Sequence, residues 1–177
     1  MRDVVVPALV AAVVTLGIEF FAKPSLEARK ERITERRRAE RDARRHFRVL
    51  SFHLGRLLVS ARDESARIPE LMRLIEPDMK TALDQMFESI ARSETASDDL
   101  AQDCLLEFGS ACRAYLIMRE HGHLTQEAAD RMVLSVLDPL SDIADEAVQA
   151  PSWRLLRRKR IRSKLADLSP VVWELSI

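Results

Sequence analysis

The sequence predicts an all-α protein: one N-terminal transmembrane helix, a charged juxtamembrane helix and a cytoplasmic bundle of four to five helices. Three observations carry that expectation. Ala, Leu, Arg and Glu dominate, while aromatics make up 5% and glycines number 4, a composition that favours helix over strand. From Ala43 onward apolar residues recur at steps of three and four, with no strand-length alternation and no internal repeat. Ahead of them, Val4 to Ala22 forms an apolar run whose one charge is Glu19, and a block of arginines follows it.

Val4 to Ala22 would cover roughly 28 Å as a helix, close to the ~30 Å of a hydrocarbon core. Val4, Leu9, Val14, Ile18, Phe20 and Phe21 represent the expected span. A cleaved signal peptide would need a basic opening and small residues at its exit. Here Asp3 offsets Arg2, and the exit reads EFFAKP. A core helix would not be apolar on all sides from Val4 to Ile18. Pro7 sits in the first turn, where a missing N–H costs little. Lys23, Arg29, Lys30, Arg32 and Arg36 follow the span, so the positive-inside rule places the N-terminus outside and the C-terminal body in the cytoplasm. The expected location is the inner (plasma) membrane. Glu19 lies one turn before Lys23, and an i,i+4 pair can snorkel to the headgroups. The competing reading has Glu19 meeting its copies in an oligomer, where Thr15 and Gly17 would permit close packing.

The formal charge of zero hides a sorted distribution. Lys23 to Arg48 holds eleven basic and five acidic residues, Val49 to Trp153 nine and nineteen, and Arg154 to Lys164 seven and none. The expected units are therefore an anchor (1–22), a basic stalk (23–46), a helical bundle (47–150) and a basic C-terminal helix with an apolar tail (151–177). The stalk, with Pro24 as its junction, runs without a break into the first bundle helix, to about Ser65. Ala43, Phe47, Leu50, Leu54, Leu57 and Ala61 form its buried face.

A second helix covers Ile68 to Arg92 and turns Leu71, Leu74/Ile75, Met79, Leu83, Met86/Phe87 and Ile90 inward. Pro77 should break or kink it after Ile75. Ser97 with Asp98 and Asp99 signals the N-cap of a third. That helix buries Leu100, Cys104, Phe108, Ala111, Tyr115 and Met118, and stops at His121-Gly122. Thr125 caps a fourth, whose inward face is Ala129, Met132/Val133, Val136/Leu137, Leu140, Ile143 and Ala147, with a bend at Pro139. Pro151-Ser152 opens a fifth, which ends near Ser169-Pro170 and leaves VVWELSI as an apolar tail.

Catalytic chemistry is not signalled. No phosphate loop, HExxH or GxSxG occurs, and no cofactor is expected. His121-Gly122-His123 lacks a third ligand and suits a helix C-terminus better than a metal. His46 and His53 share a face among arginines, where a bound cation would be repelled. Cys104 and Cys112 have neither metal-knuckle nor redox spacing, and are expected to be buried thiols. The basic segment from Arg29 resembles a DNA-contacting helix in composition, but a helix beside a bilayer meets anionic headgroups first, so nucleic acid is disfavoured. Arg36, Arg37 and Arg38 are the expected lipid or partner contacts in the first block, and Arg157, Arg158 and Arg160 in the second. Arg157 and Lys164 interrupt the apolar arc of Trp153, Ile161 and Leu168. The second block thus has three possible destinations: lipid, the acidic bundle or a partner.

The junction IEFFAKPSLEARKERI resembles that of small, uncharacterised single-span membrane proteins of high-GC Gram-positive bacteria, through Glu19, Lys23, Pro24, Leu26, Glu27, Arg29, Lys30, Glu31, Arg32 and Ile33. The resemblance covers about the first forty residues. It implies topology and a bacterial inner-membrane setting, with no activity to transfer. The expected function is a non-catalytic, membrane-anchored helical bundle that recruits or scaffolds a cytoplasmic protein partner. The alternative is a small homo-oligomeric membrane effector or channel-like subunit that associates through its span.

Overall fold

A computed structural model describes residues 23–62, 68–93, 100–150 and 155–174. The expected span, Glu19 and the Ser97 cap lie outside the described residues. All the described elements are helical: α1 (Lys23–Arg62), α2 (Ile68–Ser93), α3 (Leu100–Glu120), α4 (Gln126–Met132), a π-turn (Val133–Leu137), α5 (Asp138–Gln149) and α6 (Leu155–Glu174). Among them, no helix is long and apolar enough to cross a membrane. The helices α1, α2, α3 and α4–α5 pack into a bundle, and α6 packs against α3, α5 and the π-turn.

The core follows the helical period. Along α1, Ala39, Ala43, Phe47, Leu50, Leu54 and Leu57 are buried, so one face of the helix is removed from water over about five turns. Phe47 meets Phe108 of α3 edge to face, with ring centroids 5.3 Å apart, linking α1 to α3 through the core. At Gly109 a Cβ would lie 2.5 Å from the Met86 methyl carbon and 2.9 Å from the tip of Phe87, so a residue without a side chain lets α2 and α3 approach closely.

The stalk and the first bundle helix are continuous, as α1 runs unbroken from Lys23 to Arg62. Every described side chain from Lys23 to Glu35 is exposed, and burial begins at Ala39, one turn before the expected Ala43. The part of α1 outside the bundle is therefore about 20 Å long at 1.5 Å per residue. An upright stalk from residue 25 to 46 would have reached ~33 Å by the same rise.

Pro77 and Pro170 stand inside continuous helices, and Pro139 follows a π-turn. Helix α2 runs through Pro77 without ending. Pro77 and Arg73, whose carbonyl loses a partner, both lie on the exposed face, while Ile75 and Met79 hold the helix to the core on either side. At Pro139 the fourth helix widens instead of simply bending. The Asp138 N–H donates to the Val133 carbonyl, five residues back, and Pro139 follows in the first turn of α5. A π-turn gives the proline ring room against the preceding turn. Helix α6 continues through Pro170 to Glu174, so most of the expected tail is helical. Leu74 is another correction: it is 72% exposed, and Met72 takes the inward position beside Ile75.

The end of α3 closes as expected. Gly122 adopts φ 70°, its N–H donates to the Arg119 carbonyl, and the His123 N–H donates to Met118. This is the paired bonding of a Schellman motif, which needs a left-handed residue at Gly122. Thr125 caps α4 by accepting from the Ala128 N–H.

Candidate functional surfaces

The six arginines expected to make outside contacts do not form two patches. Successive helical residues turn by about 100°, so Arg36, Arg37 and Arg38 fan around α1. Arg36 is half-buried and its Nε donates to Glu40 Oε1 at 3.1 Å, while Arg37 and Arg38 are exposed. In α6 the split is similar. Arg157 is half-buried and pairs with Glu146 at 3.5 Å, Arg158 is half-buried, and Arg160 is exposed. Lys23 is exposed at the start of α1, and its expected partner Glu19 lies outside the described residues.

Glu146 decides where much of the second block goes. It accepts from Lys164 Nζ at 2.8 Å and faces Arg157 from the other side. These two cations interrupt the apolar arc of α6, and both face the bundle. Between them Ile161 is fully buried, and Leu165 and Leu168 pack against the core. The hydrogen bond from Lys164, with both positive charges, holds the Glu146 carboxyl below the usual carboxylate range. One side of α6 thus belongs to the acidic bundle, while Lys159, Arg160 and Arg162 remain exposed.

The outward side of α1 carries the denser basic feature. Arg41, Arg44, Arg45 and Arg48 line a groove of about 580 Å³ together with Val49 and Phe52. Arg37, Arg41, Arg44 and Arg48 stand at steps of 4, 3 and 4, on a side of the helix turned away from the buried row. Among the described residues none of these four pairs with a carboxylate. The signal that could have found this row was in the sequence: the same three-and-four rule that located the core, applied to arginine.

A second groove, of about 590 Å³, lies between α1 and α2. Its lining includes His46, His53, Asp78, Glu88 and Arg92. His53 is buried at 7% exposure, and its Nδ1 has no hydrogen-bond partner. Burial pushes His46 and His53 below the ordinary imidazole value. Asp42 and Asp78 oppose the shift, and Arg45 and Arg56 assist it. The groove therefore favours neutral imidazoles. Because the folded-state values are lowered, the unfolded chain binds more protons below about pH 6.5. Stability from these two residues is complete above that pH and is lost as pH falls through their folded values. The melting temperature should drop between about pH 7 and pH 5, and His53→Gln should shrink the drop. Glu146 adds a loss of the same sign lower down, below about pH 4.3. A melting temperature flat from pH 7 to 5 would refute the histidine contribution.

The remaining candidates are structural. His121 Nδ1 lies 2.9 Å from the Ile117 carbonyl, which as an acceptor requires the ring to donate, and the His121 and His123 rings stack. Cys104 and Cys112 are buried and not disulfide-bonded, and burial pushes the Cys112 thiol upward, away from the reactive thiolate. Among the described residues no group of three or more His, Cys, Asp or Glu could hold a metal ion. No protein-family model, curated protein or solved structure matches the chain.

Proposed function

We propose that the chain is a non-catalytic adaptor, held at the bacterial inner membrane by its apolar N-terminal segment, whose helical bundle recruits or scaffolds a cytoplasmic protein. One observation carries most of the reading. Helix α1 leaves the bundle as a highly charged segment of about 20 Å whose described side chains are exposed, and in sequence it follows the apolar run directly. Such a segment buries nothing and stabilises no core. Its use is to set a distance between the bundle and whatever the preceding residues enter. The basic excess after Ala22 orients the bundle to the cytoplasm, and anionic headgroups are the first charged surface it would meet.

Reporter fusions test the topology. A C-terminal reporter active only in the cytoplasm should retain activity, and the protein should stay in membranes after carbonate washing. A chain lacking residues 1–22 should wash off. External activity of the reporter would refute the orientation, and release of the full chain by carbonate would refute the anchor.

A further inference from the structure

Helix α1 carries a second row, set apart from its buried one. At steps of three and four from Lys23 to Arg62, every residue is basic or apolar except Gly55, over about 58 Å of helix. Lys23, Lys30, Arg37, Arg41, Arg44 and Arg48 are its first cations. Leu26, Ile33, Phe52 and Val59 are its apolar members, and they are 61%, 46%, 65% and 69% exposed. At 100° per residue the row occupies an arc of about 100°. The carboxylates of α1, at Glu27, Glu31, Glu35, Glu40 and Asp42, all fall outside that arc. Within it, Arg41, Arg44 and Arg48 wall the groove whose apolar lining is Val49 and Phe52.

We propose that this row lies along an anionic bilayer surface, with its cations on headgroup phosphates and its apolar side chains dipping toward the acyl chains. The inference rests on the membrane setting proposed above and adds how the bundle sits there. Arginine forks bind phosphate in a fixed geometry, and a helix with a basic and apolar face settles in the plane of the interface. The exposed start of α1 then sets a lateral distance, so the bundle lies beside the apolar segment rather than above it. Pro24, in the first turn of α1, has no N–H to give a preceding carbonyl, so a change of axis costs least there.

Shape and chemistry decide the occupant. A straight row of this length meets a flat partner along its whole extent, whereas a convex acidic protein would meet only part of it. Nucleic acid supplies phosphates but no hydrocarbon for the exposed apolar side chains. A bilayer supplies both, and the apolar run from Val4 to Ala22 leads directly into the row. The neighbouring helix limits the contact to α1. Ser51 and Ser141 meet at 3.2 Å beside the row, and exposed Asp142 and Asp145 follow on α5. Anionic lipid repels those aspartates, which turns α5 away from the surface. Helix α3 lies across the core, where its Phe108 meets Phe47 of α1.

The test uses the full chain reconstituted in liposomes of phosphatidylcholine, with and without phosphatidylserine. A fluorophore is attached at Val59→Cys on the row or at Ile117→Cys on the exposed side of α3, the native thiols being buried. With phosphatidylserine present, doxyl lipid should quench the label at residue 59 at least about threefold more than at residue 117. Without phosphatidylserine, or in about 0.5 M salt, most of that difference should vanish. Arg41→Glu, Arg44→Glu and Arg48→Glu together should abolish it. Lys159→Glu with Arg160→Glu, an exposed cationic pair on α6, should leave it unchanged. Unchanged helical melts confirm that each variant is folded. Equal quenching at the two sites, or quenching that survives the triple reversal, would overturn the proposal. So would a label at residue 59 that responds to polyglutamate or to an oligonucleotide but not to lipid, since an acidic protein or a nucleic acid would then be the occupant. Carbonate washing separates the row from the anchor. A chain that stays in the washed liposomes without quenching at residue 59 keeps the anchor and loses this contact. One that is quenched there and then released by carbonate keeps the contact and loses the anchor.

Discussion

Phe108→Ala should lower the stability of the bundle by about 3–5 kcal/mol, which is a large share of the 5–15 kcal/mol that holds a domain of this kind together. Phe108 is fully buried and stands edge to face with Phe47, so truncation removes both the transferred apolar surface and a favourable ring contact. The cavity would lie between α1 and α3, where little can move to fill it: Leu50 and Ala111 are already fully buried. Urea unfolding should show a lower midpoint with an unchanged slope. The cysteines supply an independent readout. Cys104 and Cys112 lie one turn before and one turn after Phe108 and are buried with it. Thiol reagents should modify the wild-type protein slowly, and the variant faster by the factor that its lost stability predicts. A cost under about 1 kcal/mol would mean that the α1–α3 contact is not central to the core.

How legible this architecture was in the sequence depends on the distance over which each feature is decided. The buried rows of α1 and α4–α5 repeat at three and four, and every residue expected on the α4–α5 face is buried because local period alone selects it. Leu74 was misplaced for want of applying the same rule: it stands about 200° from Met72 on the helix, and Met72, three residues before Ile75, is the one that keeps the period of Ile75, Met79 and Leu83. The π-turn was visible only as a proline, since the widened bonding depends on how α4 and α5 both remain in the core. Arg157 and Lys164 looked like flaws in an amphipathic helix. Their explanation is Glu146, eighteen residues before Lys164 in the chain, and no local pattern points to it. The arginine row of α1 was obscured for a different reason. Grouping neighbours in sequence, as with Arg36, Arg37 and Arg38, joins residues that a helix separates.

Ile161→Asp should detach α6 from the bundle, and it is the second change with a large expected effect. Among the described side chains of α6, Ile161 is the one that is buried, with 0% exposure. A carboxylate there would have no partner on the apolar face formed with Leu165 and Leu168, and burying it would cost several kcal/mol. The chain can escape that cost by releasing α6, so the loss is capped by the docking free energy of this helix rather than by the whole bundle. Limited trypsin digestion reads the difference. Cleavage among Arg157 to Lys164 should become rapid, while α1 to α5 persist as a resistant fragment. Glu146→Gln separates the apolar from the ionic contribution. Glu146 is 23% exposed, so its pairs with Lys164 and Arg157 are partly screened, and their loss should cost about 1 kcal/mol. Trypsin resistance should survive that change and also survive 0.5 M salt. If Glu146→Gln releases α6 as readily as Ile161→Asp does, charge rather than apolar burial holds the second basic block. In that case α6 would become a salt-regulated arm, free to carry its arginines to another surface.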